Sequence, residues 1–179
     1  MKGPDSMEVE LHEDRIRFPK GYFCKHSTVH QSKEITLDQI NEVNLLTQPL
    51  SVVIDHKEVI FLPQISKEEL ASFARRNQLK ISERFDIWEA INEPYLDTEF
   101  SKEQEQATIQ ALIHNGVSEE EVKGIRKKIS LTMSMNMFAW EWVYLGQFDY
   151  LSWSLRTKKK YWWSMEIALR NYQKDTTHQ

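Results

Sequence analysis

One cysteine, five glycines and five prolines are all that this chain of 179 residues carries of those three types. A lone cysteine, Cys24, excludes an intramolecular disulfide framework and suits a reducing compartment. So few glycines and prolines argue against a loop-dominated or low-complexity chain. No apolar run approaches the roughly 18 residues that a membrane span needs. Met1–Glu10 is polar and charged, without the apolar stretch of a secretory signal, so a cytoplasmic placement is expected. Excess positive charge is missing too. The net charge of −4 disfavours duplex nucleic acid as the principal partner. A glycine-rich phosphate loop and the Glu-x-x-His pairs of a di-iron bundle are both absent, and no cofactor is expected.

What is present belongs to a globular protein. Hydrophobic residues make up 40% and charged residues 28%. Six tryptophans, six tyrosines and eight phenylalanines can fill a sizeable core. The first third reads as short strands. Val9, Leu11, Ile16 and Phe18 alternate with charged residues around a turn at His12–Arg15. Tyr22-Phe23-Cys24 reads as a third strand, His26–Ser32 as a loop, and Glu34–Leu37 alternates again. Ser51–Ile54 and Glu58–Leu62 flank Asp55-His56-Lys57, and their valines and isoleucines predict a hairpin.

From Pro63 the apolar period becomes helical. Ser66-x-x-Glu69 and Ser101-x-x-Gln104 each place a hydroxyl and a reciprocating side chain where a helix begins. Asn77 and Gly116 are plausible stops for these two helices, with a further helix through Phe85–Ile91 ending near Pro94. Leu79 and Ile81 suggest a short extra strand. Ser118-x-x-Glu121 opens the longest apolar segment, Ser118–Gly146, expected to be the central helix. Val122, Ile125, Ile129 and Met133 mark one face. Further along, Leu131, Met135, Phe138, Trp142 and Leu145 form one stripe, with Met133, Met137, Trp140 and Tyr144 nearly opposite. A helix apolar on two sides is enclosed by its neighbours. A shorter helix around Phe148–Leu155 and a last one through Tyr161–Tyr172 complete the chain. The expected fold is α+β: an N-terminal antiparallel sheet over residues 1–62, then a helical bundle over 63–179 around one central helix, in one continuous globular unit.

Four groups of residues are candidates for function. Glu89 and Glu93 share a helix face one turn apart, with Asp86 beside them and Asp97 and Glu99 following. Clustered carboxylates can hold a divalent cation or act as acid and base, and otherwise form a solvated acidic face. Cys24, His26 and His30 are metal-ligand types, but they fall short of a zinc set. Arg156-Thr157-Lys158-Lys159-Lys160-Tyr161-Trp162-Trp163 sets cations beside aromatics, as in surfaces that meet nucleic acid or anionic lipid. The bland reading makes these lysines a cationic helix end that completes the macrodipole, with core aromatics after it. Glu141, between Trp140 and Trp142, is either a proton donor or the partner of a base or indole.

Packing signals without a catalytic signature favour a non-enzymatic, cytoplasmic protein-binding module. Its expected contacts are Glu93, Asp97, Glu99, Lys158, Lys159, Lys160 and Trp163. The alternatives are a metal-assisted hydrolase built on Glu89, Glu93 and Asp97 with Glu141 behind them, and a nucleic-acid or membrane-surface binder acting through 156–163. Association with a second copy is compatible with either.

Overall fold

The computed structural model describes residues 7–95, 101–137, 146–153 and 157–175, and the protein is α+β. The chain divides into two compact units. One comprises Met1–Arg84 with Arg156–Met165, the other Phe85–Leu155 with Glu166–Gln179.

The first unit holds two sheets. Strands β1 (Glu10–Leu11), β2 (Arg15–Arg17) and β3 (Glu34–Thr36) pair antiparallel in that order. Strands β4 (Ile40–Asn44), β5 (Ser51–Ile54) and β6 (Glu58–Phe61) form an antiparallel meander. The short β7 (Ile81–Ser82) joins β4 in parallel, so the sheet order is β6-β5-β4-β7. The sequence suggested one antiparallel sheet, and the chain makes two. A single 3-10 turn, Leu37–Gln39, separates β3 from β4. There the Gln39 side chain accepts from the Thr36 amide and hydroxyl at 3.0 and 3.1 Å, which redirects the backbone between the sheets.

The β5–β6 hairpin forms as its composition predicts. Asp55 and His56 both take positive φ, at 49° and 54°, the turn geometry that matches the twist of paired strands. Every residue of β5 and β6 is buried, so both read as continuous runs rather than alternating ones. Tyr22–Cys24 differs from expectation and is not a strand. Gly21 sits at φ 82°, and its amide closes a turn on the Phe18 carbonyl at 2.7 Å. A second turn follows, from the Ser27 amide to the Cys24 carbonyl at 3.1 Å. His26–Ser32, read as a loop, ends in the short helix α1 (Val29–Ser32). Helix α2 (Lys67–Arg76) opens on the Ser66/Glu69 box and buries Leu70, Ala71, Phe73 and Ala74.

The second unit is helical. Asp86 caps α3 (Ile87–Asn92), Ser101 and Gln104 cap α4 (Lys102–His114), and Ser118 with Glu121 caps α5 (Glu119–Met137). Within this unit helix α5 packs on α3, α4 and α6 (Gln147–Trp153). Val122, Ile125 and Ile129 are buried on the predicted face. Residues 138–145, including Phe138, Trp140, Glu141 and Trp142, lie outside the described residues. Gly146 directly precedes α6: its amide donates to the Asp149 carboxylate at 2.9 Å, and its carbonyl accepts from the Tyr150 amide. Trp88 stacks on Tyr150 at 4.7 Å between ring centroids. The expected last helix is two, α7 (Lys158–Ala168) and α8 (Arg170–Asp175). No described helix is long and apolar enough to cross a membrane.

Candidate functional site

The most concentrated buried chemistry lies in the first unit, around Glu58. This carboxylate opens β6 and is fully buried. Its Oε1 accepts from the Tyr161 hydroxyl of α7, and its Oε2 from the Thr28 hydroxyl just before α1. The Thr28 amide adds bonds at 3.2 and 3.3 Å to the two oxygens. Each carboxylate oxygen is therefore met by neutral donors. Burial above all, then the nearby Tyr22 and Glu58, raises the Tyr161 phenol well above its ordinary range. Tyr22 is raised likewise, mainly by burial, although the Phe61 amide donates to its oxygen at 3.1 Å. Both phenols stay protonated and act as hydrogen-bond partners. A carboxylate so satisfied holds elements together and presents nothing to a substrate. Sequence reasoning passed over Glu58. The available signal was a carboxylate set within a Val/Ile/Phe strand, which has to find donors if that strand is buried.

The acidic stretch of the second unit is stitched into its own helices. Asp86 accepts from the Trp88 and Glu89 amides at 2.9 and 3.2 Å. Glu93 accepts from the Thr108 hydroxyl of α4. Glu89 is exposed, and its carboxyl is raised by partial desolvation first, then by Asp86 and Glu93. Arg126 donates to the Ile91 carbonyl at 3.1 Å and to Glu105 at 3.4 Å, while the Tyr95 hydroxyl reaches the Arg126 carbonyl at 2.9 Å. Asp97 and Glu99, like Glu141, lie outside the described residues. Asp149 of α6 is buried with the Gly146 amide as donor, and desolvation lifts its carboxyl to about 6.

Cys24 is buried and His26 half-buried. The His30 Nδ1 donates to the Tyr22 carbonyl at 2.7 Å. Among the described residues no three His, Cys, Asp or Glu side chains gather at metal-binding distance.

The basic run lies where the bland reading did not put it. Lys158, Lys159 and Lys160 open α7, with Thr157 as cap: its hydroxyl accepts from the Lys160 amide at 3.3 Å and its carbonyl from Tyr161 at 3.0 Å. The helix dipole opposes cations there, and no acidic residue occupies that first turn. Lys158 and Lys159 are exposed and Lys160 half-buried, and none has a carboxylate partner among the described residues. Trp162 and Trp163 are half-buried beside them, and Trp162 meets Tyr161 edge to face.

The first unit also carries an open groove of about 610 Å³, bordered by Leu46, Pro49, Leu50, Pro63, Ile65 and Lys67, with Leu46 46% exposed. Its lining mixes these apolar side chains with Thr47, Gln48 and Gln64 and offers no acid–base pair. No protein-family model, no curated protein and no solved structure matches this chain.

Proposed function

We propose that the protein is a non-enzymatic, cytoplasmic binding module that takes an acidic segment of a partner protein at the leading end of α7. One observation carries the reading. Lys158, Lys159 and Lys160 stand together at the helix end where the dipole disfavours them, without a carboxylate among the described residues to offset it. A carboxylate-rich segment supplies the missing charge, and the flanking Trp162 and Trp163 offer apolar edge for its side chains. The lone buried Cys24 suits a reducing compartment. A hydrolase has less support, since Asp86 and Glu93 already serve as a cap and a helix-to-helix tie.

Fluorescence anisotropy with a labelled oligoglutamate peptide tests the reading. Binding is expected to weaken as salt rises and to disappear in Lys158→Glu/Lys159→Glu, a change the helix end itself favours. Binding that ignores the reversal removes this surface. Capture of a single-stranded oligonucleotide or anionic vesicles, but not the peptide, replaces the partner class.

A further inference from the structure

β6 is an outer strand of its sheet, so the amides of Val59 and Phe61 point away from β5. An open edge of this kind is a template for adding another strand. Both amides are covered by side chains, and the covers differ. Phe61 donates to the Tyr22 hydroxyl at 3.1 Å, and Tyr22 lies in the turn after β2. Val59 donates to the Met165 thioether of α7 at 3.3 Å, a weak acceptor. Tyr161, one turn earlier on the same face of α7, bonds Glu58 next to Val59 in the strand. Half of the edge therefore depends on α7 staying folded, and the first turn of α7 carries three lysines against its dipole.

We propose that the leading turns of α7, Lys158–Met165, are a removable cover over the outer edge of β6, and that the charge of Lys158–Lys160 sets how often it opens. Opening releases Tyr161 from Glu58 and Met165 from Val59, and exposes the Val59 amide to water. The Phe61 end stays covered by Tyr22. The cover operates whether or not an acidic partner exists, so its test uses none.

Hydrogen exchange of the intact chain, followed by NMR at single amides under native conditions, reads the opening directly. The Val59 amide is expected to exchange faster than that of Phe61. Lys158→Glu/Lys159→Glu is expected to slow Val59 by roughly tenfold while leaving Phe61 unchanged. Thr157→Ala, which removes the cap, is expected to speed Val59 alone. Equal rates at the two amides overturn the proposal, as does a Val59 rate indifferent to both substitutions.

Discussion

Two regions of the four-stranded sheet each bury a carboxylate, and they compensate it by different means. On the β6 side, Glu58 is held by hydroxyl and amide donors from Thr28 and Tyr161. On the β7 side, Glu42 of β4 is equally buried and meets cations. Arg84 Nε donates to its Oε1 at 2.9 Å, and Lys80 Nζ stands 3.8 Å from Oε2, too far for a hydrogen bond. That second oxygen has no hydrogen-bond partner among the described residues. Desolvation is thus met by directional bonds in one region and by opposite charge in the other. The first arrangement fails when a single acceptor is lost, the second when a charge is left alone.

Substitutions can break that contrast, from the largest effect downward. Arg84→Met leaves buried Glu42 with Lys80 as its one remaining cation among the described residues, an expected loss of about 4 kcal/mol by urea denaturation. Adding Glu42→Leu should restore most of it, because an apolar pair of similar volume has no charge to desolvate. Glu58→Leu orphans the Tyr161 and Thr28 donors and should cost about 3 kcal/mol. Adding Tyr161→Phe should restore part of it, since the exposed Thr28 can turn its donors to water while the buried Tyr161 hydroxyl cannot.

Asp149 sharpens the contrast in the other unit. It is buried with an amide donor from Gly146 and, among the described residues, without a cation partner, and its carboxyl rises to about 6. A carboxyl raised on folding binds its proton more tightly in the native state. Its contribution is therefore complete below the ordinary value of 3.8 and is lost as pH climbs through about 6, then flat. Asp149→Asn keeps an acceptor for Gly146 and carries no charge. The stability of wild type relative to this variant should fall by roughly 2 to 3 kcal/mol between pH 4 and 7. A difference independent of pH would mean that Asp149 keeps its usual affinity for a proton. The smallest effect is expected at Glu93, which is only half-buried. Thr108→Val removes its hydroxyl donor, water can replace it, and the expected loss is under about 1 kcal/mol.

Much of the architecture was legible because it depends on local physics. The serines at 66, 101 and 118 cap helices as their spacing requires, since each bond joins residues three apart. The β5–β6 hairpin follows from two β-branched runs around a short polar turn. Tyr22–Cys24 misled because its composition suits a strand, while Gly21 at positive φ turns the chain and sends Tyr22 inward to cap the β6 edge. The lysine run misled for a related reason. A cationic cluster is the usual signature of a helix end, and only the Thr157 cap shows that a helix starts there. Of the candidate carboxylates, Asp86 was identifiable as a cap, but the tie from Glu93 to Thr108 spans two helices and leaves no mark on either alone.

By itself, then, the order of residues determined most of the helices and the β5–β6 hairpin, where the capped helices begin, and which face of α5 turns inward at Val122, Ile125 and Ile129. Those properties rest on contacts within a few residues along the chain. Only the tertiary structure decided that Glu58 would find Tyr161, 103 positions away, and that Glu42 would find Arg84, 42 away. A buried carboxylate must have partners, but nothing local selects hydroxyls for one and a guanidinium for the other. Packing makes that choice, by bringing distant side chains within reach of a group that water has left.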